Sequence, residues 1–104
     1  PIGVSAYQVT SKLPEELETR PEFQVPRYAI DVNQHMNNVW YVRFAAEYLP
    51  EGFQVGQLKV EYTQSARQGD LVFPKVAQQG GTVWVALCDA DGKAYAKVIF
   101  EEKA

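Results

Sequence analysis

A chain of 104 residues, 46% hydrophobic and 22% charged, reads as one small globular domain with a single core and little room for a second. Its net charge of −3 and lack of any Lys/Arg cluster exclude a partner held through nucleic-acid phosphates, and no segment is long and apolar enough to span a bilayer as a helix. Cys88 is the only cysteine, which rules out an internal disulfide and a cysteine-based zinc site.

The sequence starts at Pro1 and its one methionine is Met36, the pattern expected of a processed chain or an excised piece. Without a charged-then-apolar leader, the expected compartment is the cytoplasm. Residues 2–10 mix Val, Ala and Tyr without a clean period and read as a short strand. Residues 11–18 are either one helical turn, with Pro14 near its start and Glu15 and Glu16 facing the dipole, or a connector. The density of Pro14, Pro21 and Pro26 favours the connector, so residues 1–22 are expected to be an N-terminal extension of a core spanning 23–104. Phe23 to Ile30 has strand chemistry, with Pro26 marking an edge or bulge.

That strand leads into the polar octapeptide Asp31-Val32-Asn33-Gln34-His35-Met36-Asn37-Asn38. An apolar run from Val39 to Leu49 follows at once and predicts a helix of about three turns, stopped by Pro50-Glu51-Gly52. Only Arg43 and Glu47 carry charge in it, spaced i,i+4 on one stripe, so the rest of the circumference is expected to be enclosed by protein. Asn37 or Asn38 is a good N-cap. The free amides of the first turn attract developing negative charge, which puts Asp31, Asn33 and His35 just upstream of a natural anion site.

Beyond Phe53 the period becomes alternating. Leu58, Val60 and Tyr62 fall on one strand face, and Lys59, Glu61 and Thr63 on the other. A strand over Leu71–Gln78 contains Pro74, again an edge or bulge signal. Gly80-Gly81 then precedes a strand over Thr82–Cys88, and Asp91-Gly92 precedes another over Ala94–Phe100. These elements predict an α+β fold: an antiparallel sheet of about five strands wrapped around one long buried helix.

The octapeptide, the aromatic-rich helix and Glu47 resemble the acyl-ACP thioesterases of plants and bacteria, in particular their C-terminal hot-dog domain. The likeness extends upstream to Pro26-Arg27-Tyr28 and downstream to Glu61-Tyr62 and Gly69-Asp70. The pattern from Tyr62 to Asp70 is also similar to single-domain hot-dog thioesterases of the 4-hydroxybenzoyl-CoA type. The resemblance implies a hot-dog fold, hydrolysis of fatty-acyl thioesters on ACP or CoA, no cofactor, and a place as the second of two tandem units. The family's active-site Asp, Asn and His fall on Asp31, Asn33 and His35. Asp31 is then the general base or nucleophile, Asn33 positions water, His35 orients or tunes the carboxylate, and amides after His35 polarise the thioester carbonyl. Asn37, Asn38, Trp40 and Tyr41 are the expected substrate-binding residues.

Two positions depart from the family. Its catalytic Glu, in Tyr-x-x-Glu, is replaced here by Ser65 of Tyr62-Thr63-Gln64-Ser65-Ala66, and a hydroxyl cannot act as a carboxylate base. The family's Ser-Asp-Leu before the first Asp is shortened by one residue to Ala29-Ile30. Plainer readings stand beside the functional ones. Asp31 can close an Asx turn, Asn37 and Asn38 can be caps alone, and Cys88 fits a buried small hydrophobe. Trp40, Tyr41, Phe44 and Tyr48 suit either core or the wall of an acyl tunnel. Glu47, if buried, is a candidate for the missing carboxylate.

The alternative to a thioesterase is a non-catalytic hot-dog module that binds acyl chains or a partner. For either, the apolar helix predicts a homodimer, or pairing with a second hot-dog unit, joined along the strand at Val83–Leu87 or at Leu58–Thr63.

Overall fold

The computed structural model describes the backbone of residues 5–8 and all of residues 13–104. Seven strands are seen: β1 (Ser5–Gln8), β2 (Glu18–Thr19), β3 (Phe23–Gln24), β4 (Val55–Tyr62), β5 (Leu71–Gln79), β6 (Thr82–Cys88) and β7 (Ala94–Glu102). Among the described residues the single α-helix, α1, spans Asn38–Ala46. The strand order is β1-β4-β7-β6-β5-β2, with β3 also on β5; all pairs are antiparallel except β1 with β4. This sheet around one helix is the hot-dog fold, and it has more strands than the five foreseen because β1 and β2, short strands from the N-terminal segment, add to its edges.

Alternation decides which side of the sheet faces the helix. Val60, Val72, Val76, Val83, Val85, Leu87, Ala96, Val98 and Phe100 project inward and form one cluster with Tyr41, Ala45 and Met36. On the opposite face Ala86, Cys88 and Ala94 are covered by Leu13 and Phe73, so Cys88 is a buried hydrophobe whose thiol burial pushes up in pKa. Lys59 pairs with Glu101 at 3.2 Å across β4 and β7, as the polar face of that strand predicts.

Pro74 sits inside β5 without breaking it. In a strand the N–H and C=O of one residue point the same way, and the Pro74 carbonyl accepts from the Arg20 amide at 2.9 Å. Its missing donor therefore faces the gap between β2 and β3, and the β5–β6 ladder loses nothing. At the other end of the sheet the β4–β7 register shifts between Val55 and Gln57, and a Cβ on Gly56 would lie 2.8 Å from the Lys103 Cα. Only glycine lets the two backbones approach that closely.

Three expectations change. The strand foreseen over Phe23–Ile30 stops at Gln24; beyond Pro26 the chain tightens into a 3-10 turn at Arg27–Ala29, with Ile30 donating to the Arg27 carbonyl. The Val25 amide donates to the Asp70 carbonyl in continuation of the β3–β5 register, and the Val25 carbonyl accepts from Gly69, so this segment tethers the loop before β5. The helix ends at Ala46 rather than Leu49. Tyr48 and Leu49 donate to carbonyls three residues back, a narrower last turn that brings the chain to Pro50. Finally, β6 lies between β7 and β5 along its length and is not an edge, and β4 lies between β7 and β1, which pairs with it along Gln57–Val60.

Candidate functional site

Residues 30–36 form a tight hairpin that projects the polar motif. Ile30 and Met36 bridge, the Asp31 amide donates to the His35 carbonyl at 2.9 Å, and the Gln34 amide donates to the Asp31 carbonyl at 3.0 Å. The reversal is made at Gln34, whose φ of 67° is left-handed and uncommon for a residue with a side chain. Asp31 closes the loop from inside: its Oδ1 accepts from the Asn33 amide at 2.9 Å and, at longer range, from the His35 amide at 3.4 Å. This is the Asx turn that local chemistry suggests. Asp31 Oδ2 has no hydrogen-bond partner among the described residues, and Asp31 borders a polar groove of about 510 Å³ with Arg27, Ile30, Gln34 and Gln68. Asn33 is exposed and His35 half-buried.

The hairpin is fastened to the rest of the molecule by its base. Met36 is buried, its amide donates to the Ala66 carbonyl at 2.8 Å, and the Asn37 amide donates to the Ala29 carbonyl at 2.9 Å. Ala66 is held in turn by Tyr41, whose hydroxyl accepts its amide at 2.9 Å. Ser65, where a carboxylate was sought, is thus one residue from the contact between the motif and the β4–β5 loop. Glu47 is at the other end of α1, exposed, and lines a groove with Tyr28 and Phe44. It is neither buried nor near Ser65, so it does not replace the missing carboxylate.

Amide accounting narrows the donors for a carbonyl. Those of Asn33, Gln34 and His35 are turned onto Asp31, and those of Met36 and Asn37 onto Ala66 and Ala29. Asn37 caps α1, its Oδ1 accepting from Val39 at 3.0 Å and its carbonyl from Trp40 at 2.9 Å. Among the described residues of this stretch the Val32 and Asn38 amides have no acceptor; Val32 is 93% exposed, whereas Asn38 stands at the start of α1.

Asn38 lines a cavity of about 180 Å³ with Tyr41, Tyr62, Thr63, Gln64 and Ser65. Tyr62 donates to the Asn38 carbonyl at 3.3 Å, and the rings of Tyr41 and Tyr62 meet edge-on with centroids 5.7 Å apart. Burial pushes both phenols up in pKa; for Tyr41 the Ala66 hydrogen bond works against that rise, while Tyr62, Asp70 and Asp31 add to it. Both therefore stay protonated at neutral pH. Tyr62 and Gln64 were not among the catalytic or substrate-binding residues expected from the sequence. Alternation had put Tyr62 on the core face, and only the docking of the α1 N-terminus on β4 shows that its hydroxyl reaches polar neighbours.

Trp40 is elsewhere. Together with Phe44, at i+4, and Tyr48 in the turn after α1, it makes a partly buried aromatic stripe, extended by Tyr28 at 4.9 Å and Phe23 at 5.0 Å from Trp40 and Phe44 respectively. Arg43 lies over the Trp40 ring at 5.1 Å and Arg20 over Tyr48 at 5.7 Å. Two mainly apolar grooves of about 540 and 420 Å³ run along this stripe. Of the residues foreseen to bind substrate, the structure brings Asn38 and Tyr41 together, leaves Asn37 as the cap, and places Trp40 on a different face.

The acyl-ACP thioesterase C-terminal domain family matches residues 12–101 of the sequence. No match is found among curated protein sequences. Among solved structures, the 12:0-ACP thioesterase from Umbellularia californica superposes with a TM-score of 0.79 at 22% identity, over 91% of this chain and 39% of its own. An acyl-ACP thioesterase from Bacteroides thetaiotaomicron gives 0.73 at 12% identity, over 89% of this chain and 42% of its own. A protein from Streptococcus mutans bound to acetyl CoA gives 0.66 at 13% identity, with 90% of this chain and 96% of its own covered. At these identities the superpositions establish the fold. The chain spans about two fifths of the length of the two acyl-ACP thioesterases and nearly the whole of the S. mutans protein.

Proposed function

This chain belongs to the family of acyl-ACP thioesterase C-terminal domains, and from that membership we propose that it hydrolyses acyl thioesters to the free acid and the thiol. The acyl group is a fatty-acyl chain and its carrier ACP or CoA, the two kinds of partner named for the structures it resembles.

The observation that carries the proposal is the state of the Asp31 carboxylate. One oxygen is held by loop amides while the other opens onto a groove, so the group is oriented and still able to take a proton. In this reading water attacks the carbonyl carbon and gives one proton to Asp31. The C–S bond then breaks, and that proton passes to the departing sulfur. Asn33 and His35 position the water and the carboxylate, and the Asn38 amide, at the positive end of α1, polarises the carbonyl. The reaction consumes one water and needs no cofactor.

Asp31→Asn tests this cleanly, because an amide oxygen can still accept from Asn33 and keep the loop closed. Thiol release should fall by about 100-fold or more with the melting temperature nearly unchanged. Equal rates in the two proteins would remove Asp31 from the mechanism.

A specific residue favours the second reading, a hot-dog module that binds acyl chains without cleaving them: Ser65 puts a hydroxyl where the family has its carboxylate. Ser65→Glu distinguishes the two. A protein that is inert as it stands and gains hydrolysis with this change has lost only its base, whereas a wild-type protein that already turns over has kept another.

For assembly, the aromatic stripe on α1 supports self-association, with a second copy covering Tyr28, Trp40 and Phe44. Tyr28 is 67% and Val39 54% exposed, a large apolar area for one small domain to leave in water.

A further inference from the structure

The Tyr41 side chain is 2% exposed, and its hydroxyl already accepts the Ala66 amide. That bond uses a lone pair, not the proton, and the phenolic O–H has no acceptor among the described residues. A buried donor without a partner costs about 1–3 kcal/mol, so such groups are seldom left alone. Its neighbour Tyr62 differs, since that hydroxyl donates to the Asn38 carbonyl. Tyr41 lines the cavity of about 180 Å³ beside Asn38, whose amide also has no acceptor among the described residues. Helical side chains lean toward the N-terminus of their helix, which directs Tyr41 back over the turn that begins at Asn38.

We propose that the Tyr41 hydroxyl and the Asn38 amide together hold the carbonyl oxygen of the bound thioester, an inference that rests on reading the chain as a thioesterase. The cavity is lined by amides and hydroxyls with no charged side chain, so it suits a neutral carbonyl better than a preformed carboxylate. Both donors are fixed before substrate arrives, Asn38 by the helix and Tyr41 by Ala66, and neither needs to reorganise as negative charge builds on the oxygen. Asp31 borders a separate groove, and its charge acts on Tyr41 less than those of Tyr62 and Asp70 do.

Tyr41→Phe should lower kcat/KM by about 100-fold, the usual loss on removing one such donor. That variant also deprives the Ala66 amide of its acceptor, so a structural role would cost activity too. The deciding measurement is the infrared stretch of a carbon-13 carbonyl in a ketone analogue of an acyl-pantetheine thioester, with CH2 in place of sulfur, bound to the intact chain. A fluorotyrosine at position 41 donates more strongly and accepts more weakly. Donation to substrate predicts a carbonyl stretch lowered further with fluorotyrosine and raised in Tyr41→Phe. A stretch that ignores both changes would overturn the assignment while leaving the thioester reading intact, and would mean that Tyr41 donates only to cavity water. Failure of the ketone to bind the unmodified protein would overturn the thioester reading, and this inference with it.

Discussion

Gln34 shows how one backbone angle shapes the site. With φ at 67°, it makes the reversal that returns His35 to Asp31 and turns three amides onto the aspartate. Glycine adopts that angle without strain, so Gln34→Gly should leave the loop intact and raise stability by up to about 1 kcal/mol, whereas Gln34→Val should lower it by about 1–2 kcal/mol. Urea unfolding midpoints of the two variants, moving in opposite directions, check this; a common direction would mean that the loop is not held at that angle. The motif was legible in the sequence because its residue types crowd into eight positions. Two further facts were not legible there: that Asp31 both closes an Asx turn and keeps one oxygen open, and that the Asn38 amide, at the start of α1, lacks an acceptor among the described residues. Both depend on where each N–H ends, which spacing does not determine.

At the level of elements, β4 to β7 were readable because period-2 alternation and glycine turns are local signals, and the observed strands extend the expected bounds by at most a few residues. The segment from Phe23 to Ile30 is a shorter strand than expected because β-type composition was outweighed by Pro26 and the 3-10 turn that follows it. The helix was read three residues too long, since apolar composition runs on through a last turn that is no longer α. Its contact with β4 has a thermodynamic consequence. Tyr41 and Tyr62 have phenol pKa values raised by burial above the ordinary 10.0, so the folded state holds these protons more tightly than the unfolded chain does. Their contribution is complete below about pH 10 and is lost as pH rises through the folded values. The melting temperature should therefore fall steeply above that pH, and less steeply in Tyr62→Phe. Parallel alkaline limbs for the two proteins would show that Tyr62 is not buried against α1.

For the whole molecule, the sheet buries only one side of α1. Tyr41 and Ala45 are enclosed, while Trp40, Phe44 and Tyr48 are partly buried against the core and line grooves beside the exposed Tyr28. An all-round apolar helix in so short a chain suggested a partner, but composition could not show that strands β4 and β6 are interior and that the open apolar surface lies on the helix. Sedimentation at micromolar concentration should show a dimer, and Phe44→Glu should return it to monomer by placing a charge in the centre of the stripe. A stable monomer before the substitution would remove self-association.

The most direct measurement is thiol and free-acid release from acyl-ACP and acyl-CoA over a range of chain lengths, at high protein concentration and in oxygen-18 water. Hydrolysis at the Asp31 loop predicts thiol and acid in equal amounts, a solvent oxygen in the acid, and loss of both in Asp31→Asn. Intact thioester at every chain length on both carriers would contradict it.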